Sequence, residues 1–336
     1  MKWKAETTIS ATPGENHHLT ARPTRTRHDE IAAVLELALL LEVSAYPKPG
    51  NVHRTRDFVN TRFEHFLASA VALVPHFRLA ALRGSKVPAG PIHSGELMIG
   101  ERIRRAVESC SQWQHGGNTS LGAILLLIPI SYAAGIVPSQ EPLKAQEIRK
   151  NLRRVVRSTN KTDAVNVYRA ISVASPGGMG KVPELDVYDK GSLARIREMN
   201  MSLLDIFRIS SGYDTISSEW VRGFPVTFEI GLPFLVRELR ATWDINTAIV
   251  DTYLRILSQV PDTLVARKLG IGRAREVSLM AKRVLKVGGM KTPRGRKEVE
   301  RMDRSLQRMD HRCNPGTTAD LTASALSILL LSGYRP

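Results

Sequence analysis

Cysteine is almost missing from this chain: 336 residues contain two, Cys110 and Cys313. They form no CxxC pair and have no histidine cluster nearby, which excludes a disulfide framework and a zinc site and points to a reduced cytoplasm. Acidic residues are also short, 32 against 48 Lys and Arg, for a formal charge of +16. Such a surface favours nucleotides, coenzyme A derivatives, nucleic acid or acidic membranes, without choosing among them. An apolar leader is absent, because residues 1–28 are polar and carry His17, His18, Arg22, Arg25 and Arg27. The longest apolar run, 121–137, is interrupted by Pro129, Ser131 and Tyr132 and falls slightly short of a bilayer span. A core helix that is apolar all round, with no membrane partner, is the expected reading. No fixed-period repeat, low-complexity tract or dividing linker is visible, and strand-like alternation is scarce. These absences leave an all-α protein: a flexible tail over 1–28, then a single large multi-helix domain over 29–336.

What is present is helical periodicity over an ordinary hydrophobic content of 43%. A first helix is expected over 29–46, opened by Asp29 and Glu30 and ended by Pro47-Lys48-Pro49-Gly50. Its apolar stripe of Ile31, Val34, Leu35, Ala38 and Leu39 continues onto Glu42, placing a carboxylate on the core-facing side. Further helices are expected over 62–82, with a kink or end at Pro75, and over 95–112, 120–137, 163–174, 191–211, 228–240, 245–258, 273–286, 296–310 and 317–332. The stretch 286–312 is dense in Arg and Lys, so it is either a solvated helix face or a contact for phosphate or nucleic acid.

The usual nucleotide motifs are lacking. Gly178-Met179-Gly180-Lys181 has no P-loop spacing, and no GxGxxG follows a strand. Polar or glycine-rich segments stand instead at the ends of strongly apolar helices, where free backbone N–H groups can bind phosphate. The loop from Ser175 to Lys181 is a second candidate cradle of this kind. Four of the segments agree, in order, with one family. Glu42-Val43-Ser44-Ala45-Tyr46-Pro47-Lys48-Pro49-Gly50 resembles the E-V-S-x-x-P-K-P-G segment of the triphosphoribosyl-dephospho-CoA synthase family. Asn118-Thr119-x-x-Gly122-Ala123-Ile124 is similar to its N-T-H-K-G-A-I, Asp262-Thr263 before a basic helix to its M-D-T, and Asn314 to Leu321 to its S-P-G-G-S-A-D-L.

The resemblance implies a reaction between ATP and 3′-dephospho-CoA in which the coenzyme's ribose 2′-hydroxyl displaces adenine from C1′ of ATP. Such a site must hold a triphosphate with Lys or Arg and Mg²⁺, place a hydroxyl near a base, and stabilise cationic character at C1′. Carried onto matching positions, it makes Glu42 and Asp320 the catalytic carboxylates. Lys48, Gly50, Asn118, Thr119 and Gly316 become the nucleotide-binding set, and Glu42 with Asp262 the Mg²⁺ ligands.

Each residue also has a plainer reading. Glu42 can be a buried acid paired with Lys48, Lys48 a loop lysine, and Asn118, Thr119 and Asp262 helix caps. Asp320 can serve a helix dipole, the glycines can form turns, and Asn51 and His53 can be structural. Ser120 and Leu121 replace the family's His and Lys. Asn60, Thr61 and Arg62 stand where it has acids, and Pro49-Gly50-Asn51-Val52-His53 departs from its P-G-L-V-D. These departures point to a divergent member with a different phosphorylated cofactor precursor as acceptor. The competing class, resting on charge and the 286–312 segment, is a non-enzymatic nucleic-acid or nucleotide-binding protein.

Overall fold

The computed structural model describes residues 26–138, 142–176, 185–187, 189, 191–308 and 312–336. Most of the expected tail and most of the 175–181 loop lie outside the described residues. Within them the chain is all-α: fifteen α-helices, one π-helical turn, one 3-10 turn and no strand. The sole pairing of extended backbone there is an isolated bridge between His53 and Arg56.

Helix α1, Arg27–Ser44, starts two residues before the expected position because Thr26 and Asp29 form a reciprocal capping box. The Thr26 side chain accepts from the Asp29 N–H, and the Asp29 carboxylate accepts from the Thr26 N–H at 3.0 Å. Next come α2 Phe63–Gly84, α3 Ile99–Trp113, α4 Leu121–Ile136, α5 Ala145–Arg157, α6 Lys161–Ala174 and α7 Ser192–Glu198. They are followed by α8 Leu203–Ser210, α9 Thr215–Arg222, the π turn Val226–Gly231, α10 Leu232–Thr242 and α11 Ile245–Gln259. The chain closes with α12 Thr263–Leu269, α13 Ile271–Lys286, α14 Pro293–Gln307 and α15 Gly316–Leu331.

Two differences from the periodicity have local causes. The single helix expected over 191–211 is broken into α7 and α8, since Asn200 takes a positive φ and Ser202 opens a new capping box with Asp205. Helix α5 is not evident from the apolar pattern because Arg and Lys separate its apolar residues, yet Ile148, Leu152, Val155 and Val156 share one buried face.

At the centre lie α4, apolar around its whole circumference, and α15, where buried Thr and Ser side chains are interspersed among the apolar ones; both are buried on nearly every face. Around them pack α1, α2 and α11. A reciprocal glycine contact brings α2 and α4 together. A Cβ on Gly84 would lie 2.2 Å from the Tyr132 carbonyl oxygen, and one on Gly135 2.1 Å from that of Ala81. Helix α2 is the one described helix long and apolar enough to cross a membrane, and here it packs against α1, α3 and α4.

Pro129 interrupts α4 without ending it. Its missing N–H leaves the Leu125 carbonyl without a helical donor, and the Trp220 indole N–H of α9 donates to that oxygen at 2.9 Å. Trp220→Phe keeps most of the packed ring but orphans the carbonyl. The variant is expected to lose about 1–3 kcal/mol in urea unfolding, and an unchanged midpoint would show that the bond contributes nothing.

The basic segment divides by face. In α14, Val299, Met302 and Leu306 are buried while Arg294, Lys297, Arg301 and Arg304 are exposed. Arg301 and Arg304 pair with Glu298 and Glu300 of the same helix, which is the solvated-face arrangement.

Candidate active site

The C-terminal end of α1 meets the N-terminal ends of α4 and α15 at the wall of a cavity of about 670 Å³, to which α6, α8, α9 and α12 also contribute. Glu42, Asn118, Thr119, Gly316 and Asp320 all line it, although their motifs lie far apart along the chain. Lys48, Gly50 and Asp262 do not.

Glu42 sits where the α1 stripe predicted, on the core side and 7% exposed. After α1 ends, the Tyr46-Pro47 bond is cis and the chain turns back, carrying the Lys48 ammonium under the helix end. There it donates to the Glu42 carbonyl at 2.9 Å and to Glu42 Oε1 at 2.5 Å. Burial pushes the Glu42 carboxyl above its usual range and the Lys48 ammonium below, each shift opposed by the partner's charge. The expected reach of Lys48 to a triphosphate is therefore corrected. At 1% exposure, its charge is committed to holding Glu42.

Gly50 is corrected as well. Its backbone has φ +77°, its N–H donates to Asp303 Oδ1 at 3.0 Å, and a Cβ would lie 3.0 Å from that of Leu306. The glycine thus permits a left-handed turn tight against α14, not an approach to a ligand. His53 is buried in the same anchor, with Nε2 3.7 Å from Asp303. Asn51 joins the turn to the wall, donating to the Tyr253 hydroxyl at 2.8 Å and the Pro315 carbonyl at 3.2 Å.

Asp262, expected to bind metal, is a double cap. Oδ1 accepts from the N–H groups of Leu264 and Val265 at 2.9 and 3.0 Å, opening α12. Oδ2 accepts from the N–H and hydroxyl of Thr318 at 2.7 and 2.8 Å, tying α12 to α15. Four donors occupy both oxygens, so the residue positions the α15 entrance.

Asp320 projects from the first turns of α15 to the start of α4, where the nearby Ala123 N–H favours its charged form. A Cβ on Gly122 would lie 2.0 Å from Asp320 Oδ2, so the glycine makes room for the carboxylate. This explains the glycine of the second motif, whose partner could not be read from the sequence. Burial first, then the charges of Glu42 and Asp262, push the Asp320 carboxyl well above the ordinary range. Beside it, the Asn118 side-chain oxygen accepts from the Leu121 N–H at 3.0 Å and caps α4, while the Thr119 and Ser69 hydroxyls lie 2.7 Å apart.

Sequence reasoning missed Arg267 and Lys268, the two cations among the described residues lining the cavity. The basic helix after Asp262-Thr263 was the available signal. Of the residues standing where the family has acids, Thr61 supports the wall by donating to the Gly116 carbonyl at 2.6 Å, and the acid upstream of them, Asp57, caps α2 by accepting from the Phe63 N–H at 2.8 Å. Among the described residues, no three His, Cys, Asp or Glu side chains gather as a metal cage.

The cavity combines the buried carboxylate of Glu42, the half-buried carboxylate of Asp320, backbone-rich helix entrances and a pair of cations in its lining. The family model described as ATP:dephospho-CoA triphosphoribosyl transferase matches residues 28–336. The 2-(5''-triphosphoribosyl)-3'-dephosphocoenzyme-A synthase of Klebsiella pneumoniae is 25% identical over 299 residues, covering 88% of each chain. A protein of Pseudomonas savastanoi pv. phaseolicola, named as a probable synthase of the same compound, is 26% identical over 301 residues and 87% of each chain. A crystal structure from Archaeoglobus fulgidus, described as a candidate triphosphoribosyl-dephospho-coA synthase, has a TM-score of 0.59 and 26% identity, over 80% of this chain and 100% of that one.

Proposed function

Because this chain belongs to the ATP:dephospho-CoA triphosphoribosyl transferase family, we propose that its cavity transfers the triphosphoribosyl group of ATP to the ribose 2′-hydroxyl of 3′-dephospho-CoA, releasing adenine. The observation carrying this reading is the space that Gly122 leaves for Asp320, which lines the same cavity of about 670 Å³ as Glu42. That volume falls within the roughly 300–1,000 Å³ of small-molecule sites. The matches to enzymes give no support to a non-enzymatic nucleic-acid binder, and the basic face of α14 is accounted for by solvent and internal ion pairs.

In the transfer, the bond from C1′ to the adenine nitrogen breaks, and its electron pair leaves with adenine, which gains a proton. The bond from the acceptor's 2′-oxygen to C1′ forms as that hydroxyl loses its proton. Asp320 is the group proposed to take that proton, since the cavity reaches its carboxylate and Gly122 permits its close seat. Glu42, kept in place by Lys48, supplies negative charge opposite the cationic character developing at C1′.

Mg²⁺ fits the donor chemistry of this wall. A hard cation held by one or two carboxylates and substrate phosphates needs no larger protein cage, and the repulsion between Glu42 and Asp320 is the kind a cation relieves. Glu42 is the proposed ligand in place of Asp262. When bound, the ion would neutralise phosphate charge and help orient the triphosphate.

Incubation with ATP, Mg²⁺ and 3′-dephospho-CoA should release adenine and add the mass of a triphosphoribosyl group to the coenzyme. ATP binding without adenine release would reject this acceptor and favour another phosphorylated precursor, in line with Ser120 and Leu121 replacing the family's His and Lys. Gly122→Ala tests the placement of Asp320 directly. Displacing that carboxylate by even about 1 Å is expected to cost on the order of 10²-fold in turnover, and normal turnover in a folded variant would remove Asp320 from the mechanism.

A further inference from the structure

We infer that Arg267 and Lys268 form the triphosphate subsite of this cavity, the role that the sequence motif suggested for Lys48. This inference rests on the transfer reading and names the side chains that hold the donor's polyphosphate. A triphosphate brings several negative charges into a cavity where, among the described residues, the other charged lining groups are acids: Glu42, Asp186, Asp214 and Asp320. Lys48 offers no compensation, being buried behind Glu42 with its ammonium engaged there. Arg267 and Lys268 are the described lining cations and lie consecutively on α12.

Each is held on a different wall. Arg267 Nη1 donates to Asp214 Oδ2 at 3.1 Å, and Asp214 in turn caps α9. Lys268 Nζ donates to Asn314 Oδ1 at 2.8 Å, in the segment leading into α15. These bonds use one of five guanidinium N–H groups and one of three ammonium N–H groups, so both side chains retain donor capacity suited to phosphate oxygens. Burial also disfavours the Lys268 charge, a cost that an anion would relieve.

Register along α15 supports the orientation. From Gly316 beside Asn314 to Asp320 is four residues, a rise of about 6 Å. A nucleotide whose phosphates meet Lys268 at the α15 entrance therefore has its ribose extending one turn inward, bringing C1′ to the Asp320 level. The double cap made by Asp262 fixes α12 to α15 and so maintains the spacing.

The test compares ATP, AMP and inorganic tripolyphosphate binding by calorimetry in the full chain, in Lys268→Met, Lys268→Arg and Arg267→Gln. Lys268→Met and Arg267→Gln should each weaken ATP and tripolyphosphate by at least about tenfold while AMP changes little. Lys268→Arg should recover part of the loss, and in turnover Lys268→Met should raise the KM for ATP more than that for the acceptor. A larger rise in the acceptor's KM would overturn the assignment by placing the coenzyme's diphosphate there. Equal losses for ATP and AMP, or none, would overturn it while leaving the transfer reaction standing. Lys268-dependent ATP and tripolyphosphate binding without adenine release would keep the subsite and reject the reaction.

Discussion

Asp320→Asn is expected to lower adenine release by about 10²–10⁴-fold, the usual contribution of a positioned acid or base, while the protein remains folded. The substitution is nearly isosteric, and Asp320 makes no described ion pair whose loss would unfold the chain. Its seat is the space that Gly122 leaves at the start of α4, which an asparagine side chain of the same shape can still occupy. ATP affinity should change much less than turnover, because the proposed phosphate contacts lie about one turn away at the entrance of α15. Chromatographic measurement of adenine, with circular dichroism on the same samples, separates the outcomes. Wild-type turnover in a folded Asp320→Asn protein would sink the assignment.

Lys48→Met should have the largest effect on stability. It leaves Glu42 buried without its cation, and breaking one side of a buried pair costs about 3–5 kcal/mol. The pH dependence has a definite sign. Glu42 is already raised by burial, and losing Lys48 removes the two largest influences that lower it. A carboxyl with a raised folded-state pKa binds more protons folded than unfolded, so stability falls as pH rises from the ordinary carboxylate range through the folded value. The defect should therefore be greatest in alkaline buffer and shrink toward about pH 4. Glu42→Gln combined with Lys48→Met should recover much of the stability, since no buried charge is left unmatched. Urea midpoints at several pH values for both variants would check this, and a single variant as stable as wild type would show that the pair contributes little to folding.

The Glu42–Lys48 pair also explains why the first motif is easy to recognise and hard to interpret. In Glu42-Val43-Ser44-Ala45-Tyr46-Pro47-Lys48-Pro49-Gly50, the helical stripe by itself locates Glu42 on the buried side. Whether Lys48 faces ligand or Glu42 depends on the path of the turn after α1, which local propensities leave open. The same applies to Gly50: a proline–glycine sequence announces a turn, but the reason for glycine is the approach of Leu306 from α14.

Local sequence determined the helical class and most helix positions, through apolar periodicity and breakers, and it placed Glu42 on a core face and the polar motifs at helix entrances. Those features depend on neighbours within one or two turns. Tertiary structure alone decided which motif residues share the cavity. It turned Lys48 inward, spent both Asp262 oxygens on tying α12 to α15, made Gly122 the seat of Asp320, and brought Arg267 and Lys268 into the cavity lining. Each is a contact between residues on different helices or beyond a helix end, set by how α1, α4, α12 and α15 pack together, and helical periodicity carries no record of that packing.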